Sequence, residues 1–482
     1  MKKIKICSML TACVMLIGGL VGCGTGKETA SNDIPTLTWY IMGTKPDDAD
    51  AVVSKANEII EEKIGARLDL QFIDGSSFDD KMQMIIASNK NFDLCYTADW
   101  ANDFLTNVNK GAFMALDDLI DEYAPSLKTE LPDYIYNAST VDGKIYAIPN
   151  LQVLFRMIAV KVPTELADKY GLKKEDIKEL ADFEPFFEKI KANEPDKYAF
   201  RPGTWDLDPF MEGTYEEILP ATGCGIIKNA DKTEIVNLAK TDEFKKAVET
   251  YRRWYEKGYI RQDINSVMDE SGEAKAGKFA AELTTYKPGS EFANKKAYGR
   301  EYTFYPLENA YLNANAGMST MTAISRTSKN PEKAIKLIEL MNTDKDLYNI
   351  LCYGIEGTHY SKQDDGSIDD FGSEKYIVAG WMIGNQFNAY LTKGEDADTW
   401  DKTDKMNDEA QKSVLSGFAL NTSNIKTELS QIATVNKEYS AIFNGSGSAD
   451  LYEQYISKLD EAGQEKVREE IQKQVDEWIQ SR

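Results

Sequence analysis

Residues 36–42 read Thr-Leu-Thr-Trp-Tyr-Ile-Met, and residues 66–73 read Ala-Arg-Leu-Asp-Leu-Gln-Phe-Ile. The first stretch is dense in β-branched and aromatic residues, which suit a pleated, half-buried surface. The second alternates strictly: Ala66, Leu68, Leu70 and Phe72 on one side, Arg67, Asp69 and Gln71 on the other. That is the period of a strand with one face on a core. Between the two, Val52, Ala56, Ile59 and Ile60 share one face of a helix. Phe78, Met82, Ile85 and Ile86 do the same further on, and residues 92–96 close the series as a short apolar strand. Strand, helix, strand, helix, strand at this spacing predicts parallel strands with helical crossovers, an α/β fold. Such sheets bind ligands beyond the carboxyl ends of their strands. Thr97-Ala98-Asp99-Trp100 follows the third strand and sets a carboxylate and an indole there.

Further along, Asp142-Gly143 signals a hairpin turn, with a strand expected over 144–148. A new polar region opens at 150–160, where the chain is expected to pass into a second lobe. Residues 165–275 read as helix-rich. Phe244, Val248, Tyr251, Trp254 and Tyr255 share a face, and Gly258 closes that helix. Asn330-Pro331 starts another, with Ala334, Leu337, Ile338 and Met341 inward. Val467, Ile471, Val475 and Trp478 mark a final amphipathic helix.

The amino terminus carries an address. Lys2, Lys3 and Lys5 precede an apolar run over 6–21 that ends Leu20-Val21-Gly22-Cys23. Positive start, apolar middle and small residue before the cut make a secretory signal. The cysteine after the small residue resembles a bacterial lipobox, whose cysteine is diacylated and becomes the new amino terminus. Two acyl chains anchor stably, at ~0.8 kcal/mol per buried methylene. An uncleaved membrane helix is the alternative, but the run is short and contains glycines. Residues 1–22 are therefore expected to be removed, and 23–35 to be lipidated cysteine and flexible tether.

The chain has 482 residues, 56 Lys+Arg against 79 Asp+Glu, and a formal charge of -23. An acidic chain of this kind lacks the footprint of a nucleic-acid binder. With one histidine, His359, three-His and H-E-x-x-H zinc sites cannot be built. Cys95, Cys224 and Cys352 are widely spaced and read as small buried hydrophobes. No phosphate-binding glycine loop is present. The acidic stretch 364–374 lacks a glycine at the sixth position of a calcium loop and reads as a solvated hairpin. Asp206, Asp208 and Glu212 could hold a metal, yet three carboxylates are unremarkable in so acidic a chain. Neither a cofactor nor a metal is expected.

What remains is aromatic side chains among polar ones: 7 Trp, 25 Tyr and 19 Phe. Sugars present CH faces that stack on flat rings and hydroxyls that pair with Asp, Glu, Asn and Gln. Trp100, Trp205, Tyr286 and Trp381 are loop candidates for such stacking, and Tyr40 in the first strand is another. Each could equally be a core residue. In Tyr353-Gly-Ile-Glu-Gly-Thr-His-Tyr360, two glycines bracket Glu356, so the backbone turns and exposes it, with His359 three residues on. That loop reads either as a ligand contact or as a loop held by a hydrogen-bonded histidine.

These segments together resemble the extracellular solute-binding proteins of bacterial ABC importers, and within them the LipO-like carbohydrate-associated lipoproteins. The resemblance is carried by the lipobox, Asp142-Gly-Lys-Ile-Tyr-Ala-Ile-Pro149, Ser328-Lys-Asn-Pro-Glu-Lys-Ala334, Tyr353-Gly-Ile-Glu-Gly357 with His359-Tyr360, Gly384-Asn385-Gln386, and the stretch from Lys426 through Lys458-Leu-Asp-Glu-Ala-Gly463. It implies the type II periplasmic-binding-protein fold: two α/β lobes joined by two or three crossing strands, closing on ligand by a hinge. By analogy lobe one takes 36–153 and 283–328, and lobe two takes 154–282 and 329–482. Trp100 and Asn150 would line lobe one. Glu356 and His359 would lie near the lobe boundary, with Trp381 and Asn385 close by.

The implied function is capture of a sugar, in all expectation an oligosaccharide, and delivery to an ABC permease by a monomer anchored at Cys23 to the outer face of the cytoplasmic membrane. The same role for a peptide or other small solute is the alternative. A surface glycoside hydrolase or a structural lipoprotein stands behind both, without a supporting motif, so an enzyme is not expected.

Overall fold

The computed structural model describes residues 34–481 apart from 203–210, 212, 219–221, 229–232 and 268–269. The signal, Cys23, most of the tether, Trp205 and the Asp206, Asp208 and Glu212 group lie outside the described residues.

Strands are numbered in chain order. β1 (Thr36–Met42) pairs in parallel with β2 (Arg67–Ile73) along its whole length, from Thr36 opposite Arg67 to Met42 opposite Ile73. The helix α1 (Ala49–Ile64) crosses between them, buries Val52, Ala56 and Ile60, and ends at Gly65 with φ 60, a backbone that an added Cβ would strain. The helix α2 (Phe78–Ala87) then leads to β3 (Leu94–Thr97) on the other side of β1. A hairpin of β4 (Thr140–Val141) and β5 (Lys144–Ile145) turns at Asp142 and Gly143, both at positive φ. The strand expected over 144–148 is split, because β6 (Ile148–Pro149) leaves the hairpin for the main sheet.

A second sheet is centred on β7 (Ile158–Pro163). A further sheet places β9 (Cys224–Ile227) between β8 (Tyr215–Glu217) and β10 (Val236–Asn237). The helix-rich reading of 165–275 thus needs these short strands added. β11 (Glu282–Thr285) and β12 (Tyr302–Pro306) flank β7, both antiparallel to it. β13 (Tyr311–Leu312) follows, and β14 (Met321–Ile324) returns to the first sheet. There it lies between β3 and β6, antiparallel to both, in the order β2-β1-β3-β14-β6. The acidic stretch folds as a hairpin of β15 (Ser361–Lys362) and β16 (Ile368–Asp369). Last comes β17 (Gln411–Lys412), parallel to β13.

Two large hydrophobic cores result, with a small third cluster of Ala159, Tyr302 and Phe304 on the β7–β12 pair. One draws on residues 37–155 and 312–410, the other mainly on 158–283, 305 and 415–475. The chain passes between them near 155–158, 307–312 and 410–415. The passages hold one another: Arg156 and Tyr311 exchange backbone bonds of 2.8 and 3.0 Å, and β13 pairs with β17. All three belong to one unit, Pro35–Arg482.

This partition corrects the expected lobe limits in two places. Residues 283–306 go with the second core, because β11 and β12 need β7 between them to satisfy their backbone groups. Residues 331–410 go with the first, because the helices Pro331–Thr343 and Lys345–Tyr353 cover the sheet beside α1, with Ala334, Leu337, Ile338, Met341 and Leu347 buried. The carboxy-terminal helix Gln464–Gln480 buries Val467, Ile471 and Val475 in the second core. Among the described residues no helix is long and apolar enough to cross a membrane.

Candidate binding site

The register of the first sheet gathers three distant segments at one edge. β3 ends at Thr97, which faces Met321, and Met321 faces Pro149. The residues just beyond these positions, Asp99 and Trp100, Ser319 and Thr320, and Asn150, therefore meet at the carboxyl ends of the parallel strands.

Their side chains interlock. The Trp100 indole N–H donates to the Ser319 carbonyl at 2.8 Å, and the Tyr96 hydroxyl donates to the same oxygen at 3.1 Å. Asn150, buried, donates through Nδ2 to Thr320 Oγ1 at 2.9 Å, and its Oδ1 accepts from Thr322 Oγ1 at 3.3 Å. Thr320 Oγ1 in turn donates to the Trp381 carbonyl at 2.7 Å. The rings follow: Tyr96 lies 6.1 Å from Trp100 and 5.9 Å from Trp381, and Trp100 and Trp381 are 6.3 Å apart. These are edge and tilted contacts within attractive range. Tyr96 is buried and Trp381 half-buried, while Trp100 is 53% exposed. With its one polar atom already bonded, Trp100 presents an apolar ring to solvent on a supported base.

Asp99 adds a carboxylate beside that ring. It accepts from Asn315 Nδ2 at 2.6 Å. Burial pushes its pKa above the ordinary value, against hydrogen bonds from its own backbone and Asn315. A depression of about 210 Å³ next to Trp100 is lined by Asp79, Gln83, Asp99, Asn102 and Lys110. A larger hollow of about 580 Å³ lies between α1 and the start of β2, lined by Asn57, Glu61 and Arg67. It runs along α1 from Ala49 to Glu61, and the Arg67–Glu61 ion pair forms part of its wall.

The other expected residues lie elsewhere. Tyr40 is buried edge-on to Phe92 at 5.6 Å, and its hydroxyl accepts from Lys90 at 3.0 Å. Phe92 and Lys90 lead into β3, so Tyr40 sits at the opposite end of that strand from Trp100. Tyr286 follows β11, packs 5.5 Å from Phe304, and donates its amide to the Met157 carbonyl beside the first crossing. Glu356 is exposed and pairs with Lys362 at 3.6 Å.

Of the two readings of the His359 loop, the structure has the geometry of the hydrogen-bonded histidine and not of a ligand contact. Its side chain is 1% exposed: Nδ1 accepts from the Ile355 amide at 2.9 Å, and Nε2 lies 3.1 Å from Asp48 Oδ2. The histidine pins the loop from inside, and Gly354 and Gly372 are glycines because a Cβ on either would come within 2.5 Å of it. Asn385 also has local work: its side chain accepts from the Phe387 amide at 2.9 Å and caps a short turn. Tyr96, Ser319 and Thr320 were not singled out by the sequence. Tyr96 reads as a strand residue, and nothing local marks Ser319 or Thr320. Among the described residues no group of three or more His, Cys, Asp or Glu converges as a metal site.

A family model described as bacterial extracellular solute-binding protein matches residues 60–352, and a domain of unknown function matches 414–480. A carbohydrate ABC transporter substrate-binding protein of Streptococcus pneumoniae serotype 4 is 29% identical over 488 residues, covering 97% of each chain. Lipoprotein LipO of Bacillus subtilis is a more distant relative, 21% identical over 64% of this chain and 65% of its own. Among solved structures, the N-glycan transport solute-binding protein NgtS of Streptococcus pneumoniae superposes with a TM-score of 0.83 at 27% identity, covering 92% of this chain and 99% of that one. Its complex with Man1GlcNAc gives 0.76 at 28% identity, covering 92% and 100%.

Proposed function

This chain belongs to the bacterial extracellular solute-binding protein family, and from that premise we propose that it captures an oligosaccharide and passes it intact to an ABC importer. The fold is the type II periplasmic-binding-protein fold, two α/β lobes joined by crossing segments. The observation that carries the reading is Trp100: an exposed indole face whose N–H is already bonded, backed by Tyr96 and Trp381, at the carboxyl edge of the sheet. Such a face stacks on the CH face of a sugar ring, while Asp99 and its neighbours offer acceptors for hydroxyls. The likeness to a carbohydrate transporter's binding protein, and to NgtS with its mannose and N-acetylglucosamine ligands, supports a saccharide over a peptide.

In this reading ligand binding favours a closed arrangement of the lobes, which the permease recognises. Cys23 carries two acyl chains that hold the protein at the outer face of the cytoplasmic membrane. The protein works as a monomer and catalyses no reaction.

A thermal-shift and calorimetry panel of mannose- and N-acetylglucosamine-containing oligosaccharides, other neutral and acidic oligosaccharides, and short peptides tests it. A ligand at 100 times its dissociation constant stabilises by ~2.7 kcal/mol, a visible rise in midpoint. Trp100→Ala is expected to weaken saccharide binding about tenfold or more, and to lower the unliganded midpoint modestly because its bond to Ser319 and its contacts with Tyr96 and Trp381 are lost. Peptide binding without saccharide binding, or full affinity in the variant, contradicts the proposal.

A further inference from the structure

The joint between the lobes is held by buried charges that play no part in the Trp100 cluster. Glu308 stands on the second crossing, accepts the amide of Ile158 on the first at 2.9 Å, and pairs with Lys228 at 3.2 Å. Their side chains are 7% and 9% exposed. The Lys228 ammonium also lies over the Tyr311 ring, 4.2 Å from its centre. Glu216, on β8 of the second core, is 2% exposed. One of its oxygens accepts from the Tyr311 hydroxyl at 2.8 Å, and the other from the Ala314 amide. Ser413, on the third crossing, donates its amide to the Leu312 carbonyl of the second at 2.8 Å, and its side chain lies beside the same carboxylate. Glu216 thus holds the second crossing to β8 where that crossing pairs with the third, and Glu308 ties the second to the first.

Ionised groups are expensive to bury, and apolar side chains of similar volume would pack a static joint at least as well. What a hydrogen-bonded network adds is a defined geometry. Here it joins the three segments through which any movement of one lobe against the other must pass.

We propose that Glu216 is a positioning residue for ligand capture. Together with Glu308, which makes the tie to the first crossing, it holds the crossings as one plate, so the bend between the lobes follows a single path and the binding-competent arrangement is reached without reordering the joint. This rests on the reading that the lobes close on a ligand. Without the carboxylate the crossings move independently, and affinity falls because closure must also order them.

The test compares the parent with Glu216→Ala, Glu216→Gln and Tyr311→Phe. Distances between spin labels, one at Met84 on the first lobe and one at Lys246 on the second, are measured without ligand. Saccharide titrations follow. The expected result for Glu216→Ala is a broadened distance distribution and an affinity weakened about tenfold, the loss produced when the competent arrangement is populated a tenth as often. The rank order of saccharides should be unchanged. Glu216→Gln, which keeps one acceptor oxygen, should recover part of both effects. Tyr311→Phe removes a single hydroxyl and should broaden the distribution even if the alanine variant does not fold. Parental distances and affinity in the folded variants overturn the proposal. So does a changed rank order, which would mean that Glu216 reads the ligand directly. If no saccharide binds the parent, the capture reading fails, while the ligand-free distances still decide whether Glu216 orders the joint.

Discussion

Trp100 and His359 are both scarce side chains on loops, and the structure gives them opposite surroundings. The indole is exposed and its ring is free to meet a ligand, whereas the imidazole is enclosed by Ile355, Asp48 and Tyr376. Replacing His359 by Ala removes the acceptor of the part-buried Ile355 amide and opens space beside Gly354. We expect a loss of about 1–3 kcal/mol in denaturant unfolding, with saccharide affinity unchanged in the folded protein. An affinity loss exceeding that of Trp100→Ala would return His359 to the ligand. Glu184 sets a pH limit. Burial raises its pKa, but hydrogen bonds from Arg253, Lys257 and Trp254 outweigh that and hold it at about 2, below the ordinary 4.5. A depressed carboxylate stabilises the fold above its unfolded pKa, and that stabilisation is lost as pH falls from about 4.5 toward about 2. Glu184→Gln should therefore be less stable than the parent at neutral pH and converge with it in acid. The gap should be on the order of 1–2 kcal/mol once solvent screening is allowed for. A pH-independent gap in parallel unfolding titrations would show that the loss comes from packing instead.

Among elements, the first β-α-β-α-β run was legible because its periods are clean. Its two helices and three strands form in the expected order, the third at 94–97 where 92–96 was expected, and the marked faces are buried except at Ile59, Phe72, Ile85 and Ile86, which are half-buried. β14 was not legible. Met321–Ile324 is short, all four residues are buried, and its place depends on pairing with β3 more than two hundred residues away. A continuous apolar run carries no period from which to read a face. β7 was not legible for another reason: Lys161 interrupts its apolar run, yet all six residues are buried because β7 lies between β11 and β12. Lys161 on β7 is 7% exposed, 3.5 Å from Glu282 on β11, and rests on the Tyr298 ring at 4.3 Å. Arg201 bonds the same carboxylate at 2.9 Å. Glu282→Ala strands a buried ammonium and is expected to destabilise by about 3–5 kcal/mol. Chemical denaturation measures this directly, and a loss below 1 kcal/mol would mean that water reaches Lys161.

For the whole molecule, three strand passages divide the described residues into two cores, and the division does not follow chain order. The expected limits put 283–328 together and 329–482 together. In the structure a sheet claims 283–306 for the second core, and a helix layer claims 331–410 for the first. The sequence by itself determined the α/β class, the signal and lipobox pattern, a parallel β-α-β-α-β run, the family resemblance, and Trp100 beyond a strand end. All of these are local: a period, a spacing or a short motif carries each one. The tertiary structure alone decided which aromatics share a cluster, that His359 is a core residue, where the lobes exchange chain, and that Glu216 and Glu308 tie the crossings. Those are facts of long-range pairing, set by which buried backbone and charged groups find partners, and a single chain read in order does not record them.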